Sequence, residues 1–160
     1  MVIDNKTKKE EVLHLVRNSC KRCGHCCSLG SGIVLKEEVE GLAKSLGISR
    51  EKLLTQCLDE FTKFNTAHYR FKQIKTKYPH GRCVFHDQTT KECRIHDKKP
   101  LHCKVSTCSQ LGSEVQKWFD VTYFYNKKDR NSVAEYKIYS EFNGPLTGAL
   151  PEEIKNRPKQ

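Results

Sequence analysis

Cys20-Lys21-Arg22-Cys23-Gly24-His25-Cys26-Cys27 places four thiols within eight residues. An ordinary core uses cysteine as an isolated small hydrophobe and has no need of such a run. Thiols three residues apart on a glycine-containing loop can wrap one metal centre. The C-x2-C-x2-C spacing is also that of bacterial ferredoxin loops, which hold three corners of a [4Fe–4S] cluster and take a fourth thiolate from elsewhere. Adjacent side chains of an extended chain point to opposite faces. Cys26 and Cys27 therefore need not feed the same ion, and Cys27 is free to serve a second site.

A second set, Cys83-x9-Cys93-x9-Cys103-x4-Cys108, supplies four more thiols. Together Cys20, Cys23, Cys26, Cys27, Cys83, Cys93, Cys103 and Cys108 form the candidate ligand set for metal or cofactor. Eight thiolates suit two four-ligand centres, or one centre with a redox or structural remainder. The distal spacings depart from the paired hooks of a zinc ribbon. The first run therefore favours an iron–sulfur cluster, [4Fe–4S], one or two per chain, with zinc as the alternative because thiolate-rich sites suit both. His80, His86, His96 and His102 lie near the distal set and are the histidines able to replace a thiolate in a zinc site. His25 sits inside the first loop and can hydrogen-bond a sulfur. Lys21, Arg22, Arg94 and Lys104 can offset thiolate charge. Cys57 stands apart, on what reads as an apolar helix face, and is expected to be a small buried hydrophobe.

The remaining composition bounds the class. Hydrophobic residues make up 36% of the 160-residue chain, so the core is modest and a metal staple would help it. Met1–Glu11 is polar, without the apolar stretch of a secretory signal. No run approaches the ~18 apolar residues of a membrane span. The expectation is a cytoplasmic protein with no membrane contact, where clustered cysteines favour metal or redox chemistry over disulfides. The net charge is +10, and residues 61–104 carry eleven Lys/Arg against three Asp/Glu. That stretch also holds Phe61, Phe64, Tyr69, Phe71, Tyr78 and Phe85. Basic residues among aromatics can form a nucleic-acid surface, with Arg70, Lys72, Lys75 and Lys77 as candidates for RNA. A solvated basic face above core aromatics is the plainer reading.

Local patterns predict an α+β fold: one small domain, several helices and a small antiparallel β unit around a metal-stapled cysteine core. Residues 8–17 read as a helix, with Thr7 and Glu10 as a capping box. Residues 36–46 follow, stopped by Gly47. Ser49 caps a helix to about Phe61, with Leu53, Leu54, Cys57, Leu58 and Phe61 inward. Residues 64–78 are rich in β-formers, and 83–95 reads as a hairpin around Asp87–Lys91. Residues 113–126, with Val115, Trp118, Phe119 and Thr122 inward, and 131–141 read as helices. The metal-binding domain is expected over 1–142, and an irregular Gly- and Pro-containing tail over 143–160.

Cys20-x2-Cys23-x2-Cys26-Cys27, followed by a short apolar strand and Glu38-Val39-Glu40-Gly41-Leu42-Ala43-Lys44-Ser45-Leu46-Gly47-Ile48, resembles the YkgJ-like CxxCxxCC cysteine-cluster family of zinc- or iron-chelating domains. Cys83-Val84-Phe85, Cys93-Arg94-Ile95-His96 and Lys99-Pro100-x2-Cys103 are similar to the family's later elements. The likeness covers about residues 18–110. Lys99 stands where arginine is common, and His96 where tyrosine is common. The resemblance implies metal or iron–sulfur binding without an assigned reaction. A related motif occurs in flagellin lysine N-methylases, but this chain has neither a Gly-rich dinucleotide-type loop nor a C-x3-C-x2-C radical motif. Two functions are therefore expected to compete. One is an iron–sulfur protein with a redox or accessory role and a redox or protein partner. The other is a zinc-stabilised basic module for RNA or a ribonucleoprotein.

Overall fold

The computed structural model describes residues 2–149; the expected tail beyond Ala149 lies outside the described residues. Helix α1 (Lys9–Val16) buries Val12 and Val16. Its N-cap is Lys8 rather than Thr7: Glu11 accepts the Lys8 N–H at 2.7 Å, while the Thr7 hydroxyl accepts from Asp4. Helix α2 (His25–Leu29) grows out of the cysteine run after Gly24, and strand β1 (Ile33–Val34) follows. A 3-10 turn (Lys36–Glu38) leads into α3 (Val39–Leu46), whose buried Val39, Leu42 and Ala43 fall on one face. Gly47 ends it at φ +68, in the left-handed region glycine enters freely. The Ser49 hydroxyl caps α4 (Arg50–Gln56) by accepting from Lys52.

Here the expected helix to Phe61 is corrected. Helix α4 stops at Gln56, and Leu58–Lys63 is strand β2. It pairs antiparallel with β3 (Thr66–Phe71), Leu58 facing Phe71 and Lys63 facing Thr66. Phe64 and Asn65 turn the hairpin at φ +47 and +53. Two successive left-handed residues match the twist of the flanking strands. The tip is anchored: Asn65 hydrogen-bonds Glu135 and Asp129, and Thr66 donates to the Phe124 carbonyl. Strand β1 joins β3 to complete a sheet ordered β1-β3-β2. A second, two-stranded sheet pairs β4 (Gln73–Ile74) with β5 (Arg82–Cys83). The hairpin expected over 83–95 is reduced to one bridge, His86 to Cys93.

Three helices follow: α5 (Leu101–Val105), α6 (Gly112–Tyr123) and α7 (Arg130–Asn143). Among the described residues the fold thus has seven α-helices and two small antiparallel sheets, an α+β domain. Strand β1 divides two apolar clusters through the alternation of its side chains. Ile33 joins the larger one, built on α1, α6 and α7, and Val34 joins a smaller one built on α3, α4, β3 and the distal cysteines. In α6 Val121 is buried and Thr122 is exposed, correcting the expected inward face. Leu146 and Ala149 are buried, and Thr147 bridges to Asp4.

The larger cluster holds most of the bulkiest buried side chains, Trp118, Phe119, Phe124 and Tyr136 among them. Phe119 is 0% exposed and touches Tyr123, Phe124 and His102 by ring contacts. Phe119→Ala is predicted to cost about 3–5 kcal/mol in chemical denaturation.

Candidate metal centre

Four separate segments bring cysteines to one place. Cys26 and Cys27 lie on the first turn of α2, Cys83 ends β5, Cys93 follows the Asp87–Lys91 loop, and Cys103 lies mid-way along α5. These five line one cavity of about 180 Å³ with Leu29, Phe71, Phe85 and Ile95 among its walls. Each segment is held by bonds outside the cavity. Glu38 accepts from the Leu35 and Leu101 amides, at 3.0 and 2.7 Å, tying the start of α5 to the turn before α3. Asp87 folds its loop by accepting from the Thr89 and Thr90 amides.

Two glycines permit the close approaches. A Cβ on Gly32 would lie 2.0 Å from the Cys103 sulfur. A Cβ on Gly24, at φ +70, would lie 1.7 Å from the Lys91 carbonyl oxygen. The first lets β1 pass over α5. The second seats the N-terminal loop on the distal one.

The thiols differ in acidity. The Cys26 and Cys27 sulfurs are 3.8 Å apart, within hydrogen-bonding range. The Cys27 thiol beside them draws Cys26 and Cys93 down to about 6, with Lys99 adding positive charge, and these two neighbours push Cys27 itself up. Burial pushes Cys83 up to about 11, against the favourable backbone amides of Phe85 and Gly32. Burial also raises Cys103.

The remaining predicted residues lie around this group. Cys20 is exposed, its sulfur 3.5 Å from the Lys99 ammonium, and shares a second hollow with Cys103, His96 and Lys99. Cys23 is exposed beside Gly24, His25 and His86. Cys108 is exposed after α5. Cys57 is half-buried at the C-cap of α4, not within a helix face. Both nitrogens of His102 are engaged: Nδ1 accepts the Ile33 N–H, so Nε2 carries the proton and donates to Gln116. His68 is likewise structural, with Nδ1 accepting from Lys36 and Nε2 donating to the Tyr123 carbonyl. His86 is buried with Nδ1 unpartnered. Gly32, Glu38 and Lys99 were not singled out by their chemistry in the sequence. Only the Gly30/Gly32 spacing and the Lys-Pro pair at 99–100 mark the places.

Among the described residues, no three donor side chains already converge closely enough to hold a metal ion. The donor chemistry nevertheless fits one: soft sulfur ligands in an apolar, partly closed cavity are suited to zinc or iron. The sequence profile of the CxxCxxCC family, described as "Putative zinc- or iron-chelating domain", matches residues 19–128. The chain belongs to this family. CxxCxxCC similarity thus spans both cysteine sets and extends through α6. The chain is also similar to "Uncharacterized protein MJ0661" of Methanocaldococcus jannaschii, 28% identical over 102 residues, covering 64% of this chain. It spans about half the length of that curated relative (50%). No solved structure matches.

Gly32→Ala is predicted to displace Cys103 and reduce bound metal sharply while leaving helical circular dichroism intact. Gly41→Ala, where a Cβ meets nothing within 4 Å, should retain metal and gain up to about 1 kcal/mol of stability. In metal-free protein, iodoacetamide labelling of Cys26 and Cys93 should rise as pH increases through about 6, because the thiolate is the reactive form. Cys83, pushed up to about 11, should stay unlabelled near neutral pH.

Proposed function

We propose that the cysteine centre binds an iron–sulfur cluster and that the protein serves a redox or accessory role. The observation that carries this is the shared cavity of Cys26, Cys27, Cys83, Cys93 and Cys103, about 180 Å³. Five thiols are one more than a tetrahedral zinc site takes, and a C-x2-C-x2-C run with a further thiolate from elsewhere is the ligand pattern of a [4Fe–4S] cluster. The inner five thiols supply the ligands nearest the cavity. Cys20, Cys23 and Cys108 complete the eight-cysteine set, Cys20 beside the Lys99 charge. A bound iron–sulfur centre supplies one-electron transfer. This chain's part is to exclude water with Phe71, Phe85 and Ile95, offset thiolate charge with Lys99, and direct backbone amides at sulfur.

One observation favours zinc instead. The Cys26–Cys27 separation of 3.8 Å equals the edge of a tetrahedron with ~2.3 Å metal–sulfur bonds. Under that reading the metal is structural.

Anaerobic purification followed by absorption and metal analysis separates the two. The iron–sulfur reading predicts a brown protein with a broad band near roughly 400 nm and matched iron and sulfide. A colourless protein with stoichiometric zinc would support the structural alternative, and a folded protein with no bound metal would contradict both. Cys83→Ser and Cys103→Ser should each abolish the band, whereas Cys57→Ser should leave it.

A further inference from the structure

Beside Ser28 and Leu29 of α2 lies another hollow of about 550 Å³, lined in part by Lys75, Thr76, Lys77, Tyr78 and His80 between β4 and β5. Lys75, Lys77, Arg82 and Lys91 line it, and no Asp or Glu does. Among the described residues none of these four cations is in an ion pair. Arg82 is held in place by donating to the His86 carbonyl at 2.9 Å, which leaves its charge uncompensated. Asp87, the carboxylate nearest Arg82 in sequence, is occupied by its own loop amides and by Arg94 at 3.7 Å, and Glu92, next to Lys91, does not line the hollow. Lys75, Lys77 and Lys91 are exposed.

The hollow also carries an aromatic surface. Tyr78 is 58% exposed. Its ring lies nearly parallel to His80, 9° apart with centroids at 5.6 Å, and the Lys77 ammonium stands 5.3 Å from its centre. The platform is braced from below: the Thr76 hydroxyl donates to the His80 carbonyl and accepts from the Tyr78 amide. The other two basic candidates read from the sequence do not reach this surface. Arg70 lies over the Phe61 ring at 5.7 Å, and Lys72 lies 3.9 Å from Asp59.

We infer that the groove of Lys75, Lys77, Tyr78, His80, Arg82 and Lys91 binds single-stranded nucleic acid. Unpaired cations flanking a flat, exposed ring match the repeat of such a strand, phosphate on one side and base face on the other. A duplex presents phosphates but hides its base faces, and an acidic peptide has no base to stack. None of the eight candidate metal ligands lines this groove, so the inference stands apart from the identity of the metal.

The test is fluorescence anisotropy with the metal-loaded full chain and labelled 12-mers of mixed sequence: single-stranded RNA, the matching DNA, and duplex RNA, with poly-glutamate as competitor. The inference predicts binding to a single strand over duplex, with RNA and DNA arms showing which is preferred. The affinity should fall with salt at about 0.7 log units per log unit for each phosphate contacted. A Lys75→Glu/Lys77→Glu/Lys91→Glu variant should lose binding. Tyr78→Ala should weaken it roughly tenfold, with Tyr78→Phe restoring most of the affinity. A Lys6→Glu/Lys8→Glu/Lys9→Glu variant, altered away from the groove, should bind normally. Absence of binding would overturn the inference. So would equal loss in the distant charge variant, indifference to Tyr78→Ala, or equal displacement by poly-glutamate. Unchanged circular dichroism of each variant shows that loss of binding is not loss of fold.

Discussion

Five thiols from four chain segments face one apolar cavity, and that juxtaposition makes the strongest demand on the fold. Thiolates so close together repel, and a low-dielectric wall disfavours each charge. The chain answers by keeping protons at Cys83 and Cys103, where burial raises the thiol, and at Cys27, which its neighbouring thiols raise. Lys99 places a cation at the boundary. A multivalent metal relieves the same repulsion more completely, by replacing protons with positive charge. The uptake of metal by such a set therefore releases protons and weakens as pH falls.

The supporting structure is arranged around that demand. Gly32 allows β1 to cross against Cys103, and its neighbour Ile33 donates to His102, the residue before Cys103. From His102 the hydrogen bonds continue through Gln116 to Asp120, which is 2% exposed and holds Lys63 at 2.6 Å. This chain of polar contacts fixes the imidazole in one tautomer and locks α5 to α6 and β2. Glu38 performs the matching task at the start of α5. The wall of the cavity opposite α2 is thus rigid, while α2 itself is short and has no buried residue. No helix among the described residues is long and apolar enough to cross a membrane.

Much of the fold was legible because it is local. The α1 and α3 helices announce themselves by period and by the Gly47 stop, and the cysteine run by its spacing. The α+β class and the family followed from the same residues. The α4–β2 boundary was not legible. Leu53, Leu54, Cys57, Leu58 and Phe61 satisfy a helical period, yet pairing with Thr66–Phe71 wins for the second half. That choice depends on partners distant in sequence and on a Phe64-Asn65 turn lacking the usual glycine signal. The basic surface failed in a similar way. Arg70 and Lys72 alternate with aromatics in sequence, but in space Arg70 lies over Phe61 and Lys72 beside Asp59, so only Lys75 and Lys77 share the groove, joined by Arg82 and Lys91 from beyond the turn. Likewise, spacing alone did not distinguish Cys26, Cys27, Cys83, Cys93 and Cys103, which line the cavity, from Cys20, Cys23 and Cys108, which do not.

The central claim is that the cavity cysteines together ligate metal, and X-ray absorption at the metal edge of the purified protein tests it most directly. The account predicts a first shell of sulfur, with an iron–iron vector for the cluster, that collapses in a Cys83→Ser/Cys103→Ser variant. A first shell of oxygen or nitrogen, or a sulfur shell unchanged in that variant, would contradict it.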